Sequence, residues 1–190
     1  MKTLQSFITL VIITLLLLLG GCVQESNEPD NPQDQITDKV TIPLQKRYYS
    51  VLDYNNFITG EHLVCGIPDI SYEGNYLNIK LKIRISSLLQ EKMLNTESPF
   101  YFNIADIPGH NTLLDVTAEP PIFVEGDLDK LKDGNYYIIT QSIKLIEDVP
   151  AEIIEKLLLP DTYVLEVVNE ETLVVAIFAG LEVDMLDKPM

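Results

Sequence analysis

The chain has 190 residues and a formal net charge of −16, because its 29 aspartates and glutamates outnumber its 13 lysines and arginines. A protein this acidic repels nucleic acid and anionic lipid headgroups, so we expect no nucleic-acid partner. The length suits a single domain with its own hydrophobic core.

The N-terminus has the pattern of a secretory signal. Lys2 provides a positive charge, and residues 7–19 form an apolar run that ends at Gly20 and Gly21. The run has the length of the apolar region of a signal peptide and is shorter than the roughly 20 residues that a membrane-spanning helix needs. The sequence therefore predicts export from the cytoplasm.

The junction Leu19-Gly20-Gly21-Cys22 resembles the lipobox of bacterial lipoproteins, in which an aliphatic residue and two small residues precede a cysteine. The resemblance implies diacylglycerol on Cys22, cleavage just before it, and a protein held at a membrane of the cell envelope by that lipid. Residues 1–21 are then a signal peptide, 22–38 the lipidated cysteine with a disordered acidic tether, and 39–190 a domain outside the cytoplasm. The alternative is an uncleaved signal anchor with an incidental cysteine.

Alternation of apolar and polar residues predicts strands in the first half of the domain. The clearest run is 77–86, where the alternation has no fault. A turn at Gly74 precedes it, because glycine tolerates a positive φ. Three further runs are predicted to form strands: residues 40–51 (one or two strands), 61–72 and 100–104.

Two segments have apolar residues at helical spacing and are predicted to form short helices. The first is 87–94, in which Leu88, Leu89 and Met93 share a face. The second is 150–159, where a proline suits the first turn. Its apolar residues are Ile153, Ile154, Leu157 and Leu158.

The C-terminal part is predicted to contain a long strand over 136–145 and a hairpin formed by 163–168 and 172–180. The second strand of the hairpin is apolar on both faces, which predicts a central position in its sheet. The whole pattern predicts a mainly β fold of six to eight strands with one or two short helices. A β-sandwich is expected, because a sheet with one apolar face needs a second sheet to cover it.

Residues 160–167, with the sequence PDTYVLEV, resemble the Pro-Gly-x-Tyr-x-hydrophobic-x-hydrophobic strand near the end of many immunoglobulin-like sandwiches. Asp161 stands where glycine is usual. Proteins with this pattern include the BsuPI-like group, which is related to a bacterial intracellular proteinase inhibitor. The resemblance implies an immunoglobulin-like β-sandwich, with protease inhibition as one alternative function.

Three basic residues, Lys80, Lys82 and Arg84, alternate along the run 77–86 and therefore share its polar face. Cross-strand pairing with acidic residues, which would stabilise the sheet, is the favoured interpretation. The other is a docking face for an acidic protein partner or an anionic polysaccharide.

Aromatic residues are concentrated between positions 48 and 76. They suit a platform for sugar or peptide, but tyrosine is also an ordinary strand residue, and core or edge packing is the favoured interpretation. The residues are Tyr48, Tyr49, Tyr54, Phe57, Tyr72 and Tyr76.

Catalytic and metal-binding motifs are missing from the sequence. Neither His62 nor His110 has a neighbouring nucleophile or metal-ligand spacing along the chain. With Cys22 lipidated, Cys65 has no disulfide partner, and its apolar surroundings predict a buried, unreactive thiol. A calcium cage is conceivable over 127–133, although a solvated turn is favoured because the spacing departs from that of an EF-hand. Its carboxylates are those of Asp127, Asp129 and Asp133.

The expected function is accordingly a non-enzymatic one without a cofactor. We expect a lipid-anchored module that binds or supports another component of the cell envelope. Binding of a glycan or small ligand is the alternative from a different class.

Overall fold

The computed structural model describes residues 47–120, 122–126 and 136–189, which belong to one compact unit, Leu44–Met190. Within these residues, eight strands form two antiparallel sheets. The prediction of a mainly β fold with six to eight strands is confirmed.

The first sheet is built around β3 (Tyr76–Ile85), whose apolar residues at alternate positions are fully buried. β6 (Tyr136–Lys144) pairs with β3 along nearly its whole length. On the other side of β3 lie β1 (Leu63–Cys65) and β2 (Asp69–Glu73), one after the other. Gly74 makes the turn between β2 and β3 with a φ of 60°, as the sequence predicted.

The predicted strand 61–72 is broken in the middle, so the expectation of one continuous strand is wrong. Residues 66–68 separate β1 from β2, and Pro68 within them has no N–H to donate to a ladder. Gly66 also lies close to the C-terminal segment. A Cβ at Gly66 would lie only 2.8 Å from Cδ1 of Leu186, so glycine is what allows this approach.

The second sheet has the order β5, β4, β7, β8, where β5 is Val124–Glu125 and β4 is Tyr101–Asp106. β7 (Tyr163–Val168) and β8 (Val174–Phe178) form the predicted hairpin. The expected central position of the second hairpin strand is wrong. β7 is paired on both sides and almost fully buried, whereas β8 is an edge strand.

Two α-helices are present in the described residues, as predicted. α1 (Ser87–Leu94) begins after Ser86, whose Oγ accepts a hydrogen bond from Leu89 N at 3.3 Å. Leu89 and Met93 are buried, but Leu88 is 44% exposed, so its predicted place on the buried face is wrong.

The second helix, α2 (Ala151–Leu157), follows Pro150 and is shorter than the predicted segment 150–159. Leu157 is buried, and Ile153 and Ile154 are half-buried. Leu158 follows the end of the helix and is 38% exposed, so only part of the predicted apolar face packs on the core.

The predicted strand or strands over 40–51 extend beyond the described residues, which begin at residue 47. The prediction is wrong at its C-terminal end, where a 3₁₀ helix begins at Val51 (Val51–Phe57). The Asp53 carboxylate accepts hydrogen bonds from the backbone N–H groups of Tyr49 at 2.7 Å and Ser50 at 3.2 Å. These bonds favour a turn over an extended chain.

The two sheets share one hydrophobic core. β3 and β6 contribute side chains from the first sheet, and β4 and β7 contribute side chains from the second. Among the largest fully buried side chains are Ile79, Leu81, Ile83, Phe102, Ile104 and Tyr163.

Candidate functional site

An open groove of about 340 Å³ lies beside the second half of β4. We call it the β4 groove. Its volume is in the range of small-ligand sites. The side chains and main chain that matter for its chemistry are those of Ile104, Asp106, His110, Leu113, Leu114 and Ile143.

The groove exists because β5 is short. β5 pairs only with Tyr101 and Phe102, so no described strand follows the rest of β4 on that side. In an antiparallel ladder the main-chain groups of successive residues point to alternate sides. Because the C=O of Phe100 accepts from Gly126 N at 2.9 Å on the β5 side, the main-chain groups of Ile104 and Asp106 point to that side too.

Gln141 of β6 substitutes for the missing strand at one position. Its Oε1 accepts a hydrogen bond from Ile104 N at 2.8 Å, and its Nε2 donates to Asn103 Oδ1 at 3.1 Å. The amide of Asn103 in turn donates to Glu166 Oε2 at 2.8 Å. Gln141 is only 2% exposed, so this series of hydrogen bonds satisfies polar groups that have little access to water.

Asp106 holds the far wall of the groove. Its carboxylate accepts hydrogen bonds from Leu113 N at 2.9 Å and from Leu114 N at 3.0 Å. Gly109, with a φ of 91°, allows the tight turn in between. Thr117 Oγ1 donates to Leu113 O at 2.8 Å and fixes the other end of this wall.

Local sequence patterns did not predict this groove. One signal was available: along β6 the inward-facing residues are Tyr137, Ile139, Gln141 and Ile143, with one amide in an otherwise hydrophobic series. The length of β5 carried no local signal, because strand pairing depends on distant parts of the chain.

The two histidines lie in different surroundings. His110 is exposed in the groove loop, as expected of a loop histidine. His62 is half-buried, and its Nδ1 lies 2.9 Å from Oγ of Ser86. The expectation that no nucleophile neighbours it holds only along the sequence, because the fold places this hydroxyl beside the ring. The same Oγ caps α1 by accepting from Leu89 N, which is a structural role.

The three basic residues of β3 have different surroundings in the structure. Lys80 is exposed, Lys82 Nζ lies 4.0 Å from the centre of the Tyr136 ring, and Arg84 donates to the backbone oxygen of Lys188. Among the described residues, none of the three is within 4.0 Å of a carboxylate, so the expected cross-strand ion pairs are absent there. Lys80 and Lys82 are both exposed, whereas Arg84 is half-buried.

The aromatic residues are mainly packing residues, which agrees with the favoured interpretation. Tyr48 and Tyr54 are buried and meet edge to face, with ring centres 4.9 Å apart. Tyr54 and Thr96 share a hydrogen bond of 2.8 Å, and burial raises the pKa of Tyr54 to about 12. Tyr49 and Tyr76 remain exposed.

Cys65 is buried and free, as the sequence predicted. Burial raises the pKa of its thiol to about 12, which keeps it protonated and a poor nucleophile at neutral pH.

Several predicted features lie outside the described residues: Cys22, the tether, and the aspartates Asp127, Asp129 and Asp133. Within the described ranges, no cluster of three or more histidine, cysteine or acidic side chains is arranged to hold a metal ion. The same part of the chain has no helix long and apolar enough to cross a membrane.

Comparison of the chain with protein-family models, curated proteins and solved structures found no match in any of the three.

Proposed function

We propose that this protein is a lipid-anchored binding module outside the cytoplasm, built on an immunoglobulin-like β-sandwich, and that its ligand occupies the β4 groove. The observation that carries the binding role is the groove. It opens beside the second half of β4, with which no described strand pairs on that side, and Gln141 and Asp106 hold its shape.

Strand order supports the immunoglobulin-like assignment. With β1 and β2 counted as one broken strand, the sheets are β1/β2-β3-β6 and β5-β4-β7-β8. In the lettering of these folds the strands correspond to A-B-E and C′-C-F-G. Consecutive strands β3 and β4 lie in different sheets, as strands B and C do.

A buried tyrosine gives independent support. Tyr163 opens β7, the strand equivalent to F, and its hydroxyl donates to Leu157 O at 2.5 Å. A tyrosine at the start of strand F that bonds to the backbone a few residues upstream is the tyrosine corner of immunoglobulin-like domains. Burial raises the pKa of this hydroxyl well above its ordinary range.

The anchor rests on the lipobox-like junction that ends at Cys22. The acidic stretch that follows would hold the domain away from an anionic membrane surface. A module held in this way meets its ligand at the envelope, and this is why we place the function there.

Site-specific photo-crosslinking in intact cells tests the proposal. A photoreactive phenylalanine replaces Leu114 at the groove rim, Lys80 on β3, or Leu173 before β8 as a control, in the full-length protein. All three positions are exposed. We expect a discrete adduct from position 114 and none from 173. Adducts only from position 80 would move the binding face to the basic residues, and no adduct from either would contradict a binding role.

A further inference from the structure

We infer that the β4 groove binds an extended peptide segment of a protein partner, which adds as a strand beside Ile104–Asp106. This inference rests on the binding role proposed above and specifies the class of ligand. The segment would carry an apolar side chain that enters the groove and basic residues that flank it.

Part of the β4 main chain has no partner among the described residues. No described residue pairs with the C=O of Ile104 or with the N–H and C=O of Asp106, and these groups point toward the groove side of β4. An added strand supplies an N–H and a C=O at the required alternate spacing. A compact apolar molecule would leave these groups unpaired.

Residues 122 and 123, which precede β5, do not continue its pairing with β4. A strand that continued along β4 would place residues 122 and 123 opposite Ile104 and Asn103. Neither residue pairs there: β5 begins at Val124, and the chain before residue 122 runs along the end of β6, where Ala118 N donates to Lys144 O at 2.9 Å. Among the described residues, no strand therefore lies next to the second half of β4 on this side.

The side chain of Gln141 already forms one hydrogen bond with this edge of β4, at Ile104 N. Ile104 N is already satisfied by the Gln141 side chain, so an incoming strand needs to serve only the remaining groups. The edge is thereby stable without a partner and still has main-chain groups for one. The short length of the open edge predicts modest affinity, with specificity from side chains.

The side-chain chemistry of the groove selects the peptide. Its base and rim are apolar, from buried Leu113 and Ile143 and from Leu114, which is 63% exposed. No lysine or arginine is among the described residues that line it, whereas Asp106 is. In a chain of net charge −16, flanking basic residues on the peptide would be attracted and acidic ones repelled.

The test uses the full-length lipidated protein in detergent micelles and a phage-displayed library of random linear peptides. A selected peptide is then synthesised with one backbone nitrogen methylated at a time. Methylation removes a single donor, so strand addition predicts a loss of affinity of about tenfold at alternate positions and little change between them.

Two variants carry the same change at exposed leucines. Leu114→Arg places a positive charge at the groove rim and should weaken binding of the basic peptide, whereas Leu173→Arg lies outside the groove and should not. The inference is supported if the selected peptides contain apolar and basic residues and lose affinity when every second backbone nitrogen is methylated.

Methylation effects without that period, equal binding by both arginine variants, or failure to select any peptide would each overturn it. The photo-crosslinking experiment shows whether only the peptide inference is wrong or the binding role of the β4 groove is wrong as well. An adduct at position 114 that contains a glycan or small molecule keeps the binding role and excludes the peptide.

Discussion

Burial of ionisable side chains makes the stability of this domain sensitive to alkaline pH. The pKa of Cys65 rises from 9.0 to about 12 and that of Tyr54 from 10.0 to about 12, in both cases chiefly because burial disfavours the charged form. Between these values the unfolded chain has released the proton and the folded protein keeps it. The free energy of unfolding therefore falls as the pH rises through this window, and the full stability is present below it.

Cys65→Ala isolates the contribution of one group. From pH 9.0 toward 12 we expect the unfolding free energy of the wild-type protein to fall more steeply than that of the variant. Urea unfolding at a series of pH values measures both slopes. The variant also loses packing energy in the core, but this loss is the same at every pH. It therefore lowers the whole curve of unfolding free energy against pH and does not contribute to the difference in slope. Parallel curves would show that Cys65 does not keep its proton in the folded state.

At the scale of elements, β4 is unusual because a side chain supplies one of its main-chain hydrogen bonds. The amide of Gln141 binds both the main chain of Ile104 and the side chain of Asn103. An apolar residue of similar size fits the inward series of β6 but removes both bonds. The element therefore depends on one polar residue in a hydrophobic layer.

Gln141→Leu should lower the free energy of unfolding by about 1–3 kcal/mol, the usual penalty for leaving a buried polar group without its partner. Thr140→Leu, one residue earlier on the exposed face of β6, is the control and should change little. Urea midpoints of the two variants give the comparison. Equal midpoints would mean that water replaces the glutamine.

The β7–β8 hairpin offers a second test at this scale, because its strands contain matched valines. Val167 on β7 is fully buried, and Val174 on β8 is 48% exposed. Val167→Thr should cost about 1–3 kcal/mol, since it buries a hydroxyl in the core. Val174→Thr should stay within about 0.5 kcal/mol. Thermal or urea unfolding measures both, and a larger loss at Val174 would contradict the assignment of β8 as the edge strand.

At the scale of the whole molecule, the proposed anchor and the net charge act together. The lipid on Cys22 would supply membrane attachment, and the acidic chain would prevent adsorption of the domain to anionic headgroups. One acyl-bearing cysteine would therefore account for the entire membrane affinity.

Cys22→Ser should abolish metabolic incorporation of a clickable fatty acid. A matched Cys65→Ser variant should keep the lipid, because Cys65 lies in the folded domain. In-gel fluorescence of the labelled proteins measures both effects. If the wild-type protein took up no label, the uncleaved signal anchor with an incidental cysteine would be the correct alternative.

Local patterns in the sequence predicted much of this protein. The alternation of β3 and β6, the turn at Gly74, the helix α1 and the burial of Cys65 all follow from short stretches whose side-chain period matches one type of structure. The anchor at Cys22 is likewise a local pattern, and it stays a prediction.

Only the tertiary structure decided the edge position of β8 and the short length of β5. The β4 groove and the role of Gln141 follow from the last of these. Each depends on which distant strand lies alongside, and the energy of that pairing is shared between segments far apart in the chain. The sequence of a single segment does not specify which strand will lie beside it. The open edge at which we place the ligand can therefore be recognised only when both sheets are in place.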